Sequence, residues 1–71
     1  MSHESIENGF DQYELQMHLS MGMYHTVLTV YSKQNALKIL QALRLDKTSA
    51  YYRWRVVAID SISTRFEIVD E

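Results

Sequence analysis

The sequence predicts an α+β domain in the order β-β-α-β-β, a four-stranded antiparallel sheet of order 2-1-3-4 with one helix packed on one face. Three observations predict it. Gln12 to Leu19 alternates, with Tyr13, Leu15, Met17 and Leu19 on one side and Glu14, Gln16 and His18 on the other, the period of a half-buried strand. Tyr24 to Tyr31 is rich in β-branched and aromatic residues, which suit a pleated surface. Ser32 then stands ahead of Ala36, Leu37, Ile39, Leu40 and Leu43. A serine there can cap a helix by accepting a bond from a free amide of its first turn. The five apolar residues form one stripe about 160° wide.

At 71 residues the chain holds one core, and a domain of this size buries only about 60% of the surface its unfolded chain exposes. Residues 1–11 carry Glu4, Glu7 and Asp11 with only Ile6 and Phe10 large and apolar. They read as a flexible acidic arm whose Phe10 tucks under the sheet, with residues 12–71 as the folded domain. Ser20-Met21-Gly22-Met23 reads as the first turn, since Gly22 accepts positive φ without a Cβ clash. A two-residue Met21-Gly22 loop pairs Leu19 with Tyr24, Met17 with Thr26, Leu15 with Leu28 and Tyr13 with Val30. His18 then faces His25, Gln16 faces Val27 and Glu14 faces Thr29. This register sorts apolar from polar on both strands, which a one-residue slip would undo.

The helix is expected from about Lys33 to Arg44, and Asp46 to Ser49 as a polar connection. Tyr51 to Ile59 reads as strand 3, with Tyr52, Trp54, Val56 and Ala58 toward the helix and Tyr51, Arg53, Arg55 and Val57 on the open face. A turn at Asp60-Ser61 leads to strand 4, Ile62 to Val69. There Ile62, Thr64, Phe66 and Ile68 are expected inward, and Ser63, Arg65 and Glu67 outward. The helix makes strands 2 and 3 parallel through a right-handed crossover, so strand 1 fits between them.

Composition narrows the function. The chain has no cysteine and no proline, and two glycines. No disulfide or thiolate metal site can form, and no Gly-rich phosphate loop exists. The start Met1-Ser2-His3-Glu4-Ser5 lacks the basic and apolar segments of a signal peptide. No apolar run reaches the roughly 20 residues of a membrane span. A cytoplasmic protein is expected, without membrane contact and without a cofactor. The formal net charge of −2 argues against a general nucleic-acid binder.

Four features bear on chemistry. His18 and His25, as cross-strand neighbours, could form a pH-sensitive or metal-ligating pair, but two partly exposed neutral imidazoles are the simpler reading; no metal site and no catalytic residue is expected. Arg53, Arg55 and Arg65 are expected to share the open face with Tyr51. That arrangement suits single-stranded nucleic acid, whereas cross-strand pairing with Glu14 and Glu67 is the plainer account. Met21 and Met23 at the hairpin tip suit an adaptable partner contact. Strand 2 is an edge with no charged residue from Met23 to Ser32 if His25 is neutral, whereas edges are ordinarily guarded by lysine, proline or bulges.

These features together predict a non-enzymatic protein that binds another protein, with Met21, Met23, His25, Thr29, Tyr31, Tyr51, Arg53, Arg55 and Arg65 as its contact residues. A homodimer through strand 2 is expected as well. A single-stranded nucleic-acid binder on the arginine face is the alternative. Val30-Tyr31-Ser32-Lys33-Gln34-Asn35-Ala36-Leu37 resembles, in general terms, a strand-Ser-helix stretch of small phage-encoded proteins. That resemblance implies a regulator or inhibitor of a host enzyme.

Overall fold

The computed structural model describes residues 9–71. It contains strands β1 (Gln12–His18) and β2 (Tyr24–Val30), helix α1 (Lys33–Leu45), a 3-10 turn (Ser49–Tyr51), and strands β3 (Trp54–Asp60) and β4 (Arg65–Asp70). The sheet order is β2-β1-β3-β4, with every neighbouring pair antiparallel. Fold class, strand order and helix are as the sequence predicts. Residues 1–8 of the expected arm lie outside the described residues.

Ser32 is the helix N-cap, its Oγ accepting from the Asn35 amide at 3.2 Å. From there the apolar stripe turns onto the sheet. Ala36 and Leu40 are buried, and Leu37, Ile39 and Leu43 pack partly buried against the same core. The opposing surface is Tyr13 and Leu15 of β1 with Trp54, Val56 and Ala58 of β3. These strands pair Tyr13 with Ala58, Leu15 with Val56 and Met17 with Trp54, which puts each pair on the helix side. The helix lies mainly across β3 and β1 and reaches β2 less.

The hairpin departs from the expected register halfway along. Tyr13, Glu14 and Leu15 face Val30, Thr29 and Leu28 as expected, but Gln16 faces Thr26, Met17 faces His25 and His18 faces Tyr24. Val27 is therefore an extra residue, a β-bulge, and beyond it every β2 side chain changes face. Tyr24 and Thr26 join the open face, and His25 moves to the helix side. The turn itself is the expected one. Met21 and Gly22 have φ of 52° and 78°, the two positive values of a type I′ hairpin turn. The Met23 amide donates to the Ser20 carbonyl at 2.9 Å.

Strand 3 begins three residues later than expected. Asp46 ends the helix, its amide donating to the Ala42 carbonyl at 3.0 Å, and its Oδ2 accepts from the Ser49 amide at 2.9 Å. This nucleates the 3-10 turn. The Trp54 indole N–H then donates to the Ser49 carbonyl at 2.7 Å, tying the turn to the core. Tyr51 and Tyr52 thus precede the strand and stand exposed.

Strand 4 also faces the other way. Phe66 lies opposite Ile59, Ile68 opposite Val57, and Glu67 opposite Ala58. Phe66 and Ile68 therefore belong to the open face, with Arg65 and Glu67 on the helix side. Val69 follows Glu67 onto the helix side and packs against the core, and a one-residue irregularity then sets Asp70 opposite Val56. The register is set by the longer loop at residues 61–64, whose start is pinned by Asp60. Its Oδ1 accepts from the Ile62 amide at 3.1 Å and its Oδ2 from the Ser63 hydroxyl at 2.8 Å.

Phe10, as expected, is buried. Asp11 clamps the β3–β4 loop, accepting from the Ser61 hydroxyl at 2.6 Å and the Ser61 amide at 3.0 Å. These bonds favour the ionised carboxylate and hold Asp11 below the ordinary range, the Ser61 hydroxyl foremost. The Ser63 hydroxyl, then the Ile62 amide, do so for Asp60, and the Ser49 amide for Asp46. A depressed folded pKa contributes stability above the unfolded carboxylate value of about 4, and that contribution is lost as pH falls through it. The thermal midpoint should therefore be level near neutrality and drop below about pH 4. Asp11→Asn should start lower at pH 7 and drop less steeply; an equal drop would mean that Asp11 contributes nothing.

Candidate binding surface

One end of the sheet gathers an aromatic and cationic cluster. His18, Tyr24 and Arg55 sit side by side there because β1 is flanked by the first residues of both β2 and β3. The Arg55 guanidinium carbon lies 3.6 Å from the centre of the Tyr24 ring, within cation–π range. The His18 ring meets Tyr24 edge-on, centroids 5.0 Å apart. Arg55 Nε donates to Gln16 Oε1 at 2.8 Å, and Gln16 Nε2 donates to Glu14 Oε1 at 2.9 Å. Thr26 Oγ1 completes the row by donating to Glu14 Oε1 at 2.8 Å. This polar strip crosses β3, β1 and β2, and it holds Arg55 in place without a carboxylate partner among the described residues.

Arg53 lies beyond the start of β3, its carbonyl accepting from the His18 amide at 2.8 Å. It stands with Tyr52 between two concavities of about 670 and 590 Å³. Tyr51, 85% exposed, borders the second and meets Tyr52 edge-on at 5.2 Å.

From Arg55 the open face runs on to an apolar floor. Val57 is buried there, while Phe66 remains 65% exposed and Ile68 42%. Gln16, Arg55, Ile59 and Phe66 help line a concavity of about 340 Å³ over Val57. Among the described residues no element covers this face, because α1 occupies the other one.

The expected contact residues therefore divide into groups. Tyr51 and Arg53 border one concavity, and Arg55 joins them through Tyr24, which lines the other concavity with Arg53 and carries the Arg55 guanidinium over its ring. Arg65 does not join them: it lies on the helix side, 3.9 Å from Asp60 Oδ2 and with its guanidinium carbon 4.8 Å from the Phe10 ring centre. Met21 and Met23 are exposed at the hairpin tip, Thr29 lies near the far end of β2, and Tyr31 comes just after it. The His18–His25 pair does not form, since the bulge sends the two rings to opposite faces. Among the described residues no three His, Asp or Glu side chains converge on a metal-sized site. The expected pairing of Arg53 and Arg55 with Glu14 and Glu67 is overturned too: Glu14 is taken by Gln16 and Thr26, and Glu67 faces the helix side.

Tyr24, Phe66 and Ile68 are the surface residues that the sequence reading missed. The adjacent apolar pair Val27-Leu28 was the available signal for Tyr24, since it breaks the alternation of β2 where the bulge occurs.

Compared with known proteins, the chain matches no family model, no curated protein and no solved structure. No helix among the described residues is long and apolar enough to cross a membrane.

Proposed function

We propose that the protein is a non-enzymatic binding module of the cytoplasm, a regulator or inhibitor that docks a larger protein on its open sheet face. The observation that supports this is the uncovered face itself. Exposed Phe66 shares a concavity with Arg55, Ile68 lies opposite Val57 on the same face, and Arg53 stands further along at the start of β3; neither arginine has a carboxylate partner among the described residues. Uncovered apolar surface of this kind, with polar groups at its rim, marks protein–protein contact. Aromatic residues and arginine are also the types most often decisive at interface centres. The partner that fits is a protein presenting an apolar patch flanked by carboxylates, complementary to Phe66 and to the two arginines.

The test is capture from a cytosolic extract, with bound protein and nucleic acid both identified and the affinity then measured with the purified partner. Phe66→Ala and the double Arg53→Gln/Arg55→Gln variant should each weaken binding by roughly tenfold or more, as central interface residues do. Lys38→Gln, on the exposed side of α1, should leave it unchanged. Retention of single-stranded DNA or RNA at low salt, lost in the arginine variant and steeply salt-dependent, would place nucleic acid on this face instead. Equal binding by all variants would remove the face from consideration.

A further inference from the structure

The sheet has two edges, and they differ. Free β4 carries Arg65, Glu67 and Asp70 among its six residues, charges that resist pairing with another strand. Free β2 carries none among its seven if His25 is neutral. Val27 and Leu28 of β2 are 51% and 43% exposed, and the helix gives them little cover.

The backbone of β2 has a definite pattern. The His18 amide bonds to the Arg53 carbonyl, just ahead of β3, so by alternation the main-chain groups of Met17, Leu15 and Tyr13 turn the other way, toward β2. Their partners His25, Leu28 and Val30 turn inward. The groups of Tyr24, Thr26 and Thr29 then point outward, and Tyr31 continues the series past the strand end. Because of the bulge, two residues separate Thr26 from Thr29 where a regular strand would have one. A regular strand laid on this edge loses register at that point, which is how a bulge ordinarily protects an edge.

A second copy carries the same bulge. We propose that two copies pair through β2 about a two-fold axis between Val27 and Leu28, giving a continuous eight-stranded sheet. In this register Thr26 lies opposite Thr29 of the other copy, and Tyr24 opposite Tyr31. Both pairs are outward-pointing in the main chain and both lie on the open face, so hydrogen bonding and side-chain sorting are satisfied together. His25 meets Val30 on the helix side. Val27 and Leu28 meet their counterparts at the axis and cover each other. The uncharged edge allows this closure without repulsion, although each chain carries a net charge of −2. A closed two-fold contact of this kind ends at the dimer. The inference does not rest on the open-face reading, since it uses the main-chain edge of β2, although Tyr24 and Thr26 border both surfaces.

The chain has no cysteine, so introduced thiols report the register cleanly. Thr26 and Thr29 across the axis should have Cα atoms about 5.5 Å apart, inside the roughly 4.4–6.8 Å range of a disulfide. Thr26 and its own counterpart are about three residues out of step, on the order of 10 Å. A mixture of Thr26→Cys and Thr29→Cys proteins should form a covalent dimer on mild oxidation, while each alone should not. Sedimentation should show the wild type as a dimer and Thr29→Lys as a monomer with unchanged circular dichroism; Thr26→Lys serves if Thr29→Lys fails to fold. Phe66→Ala should remain a dimer, so a failure of the open-face reading leaves this result intact. A wild type that stays monomeric into the millimolar range overturns the proposal. So does cross-linking of either cysteine variant alone as fast as the mixture, or a monomer whose Thr29→Lys variant loses a strand donated by a different protein.

Discussion

Replacing Leu40 by alanine should destabilise the domain by roughly 2–5 kcal/mol, the range found for buried leucines. Leu40 is 2% exposed and faces Leu15 and Val56, both fully buried, across the helix–sheet interface. Alanine is the best helix former, so the change leaves α1 its intrinsic propensity and removes only packing. The loss is large for this chain, since domains of about 70 residues have total stabilities of only about 4–11 kcal/mol. Urea unfolding followed by circular dichroism measures it, with Leu40→Met as the volume-conserving companion expected to lose less than about 1.5 kcal/mol. A loss below about 0.5 kcal/mol for alanine, the level of an ordinary surface change, would mean that the stripe is not buried.

The elements that were legible in the sequence are those whose burial is decided locally. β1 alternates because it is central and has the helix on one side only. α1 shows its stripe and its Ser32 cap within a few residues of each other. Strand order followed from the single crossover. What was not legible depended on distance and on loops. The thirteen residues of α1 span about 20 Å and lie along β3 and β1, so Phe66 and Ile68 had no layer to pack beneath on the helix side. Their apolar character pointed inward, but the register of the four-residue loop from Ser61 to Thr64 turned them outward. The aromatic–arginine cluster was half legible. Tyr51, Arg53 and Arg55 were grouped from chain proximity, whereas Tyr24 reached them only through the bulge at Val27.

Trp54 should prove the residue that joins stability to binding. It is 8% exposed within the core, and truncation of such residues to alanine costs roughly 3–5 kcal/mol, a large part of the whole. Trp54→Phe separates the two roles. Phenylalanine keeps most of the apolar bulk but cannot donate to the Ser49 carbonyl, which accepts from the indole at 2.7 Å. Loss of that bond should cost about 0.5–1.5 kcal/mol and release the 3-10 turn that carries Tyr51 and leads into Tyr52 and Arg53. Affinity for a protein on the open face should then fall although Phe66, Arg55 and Val57 are untouched. The two measurements are thermal unfolding by circular dichroism, since the variant loses the only tryptophan, and titration with the purified partner. A Trp54→Phe protein that binds as tightly as the wild type would show that the turn with Tyr51, Tyr52 and Arg53 takes no part in the contact. Binding would then rest on Arg55 and the apolar floor around Phe66.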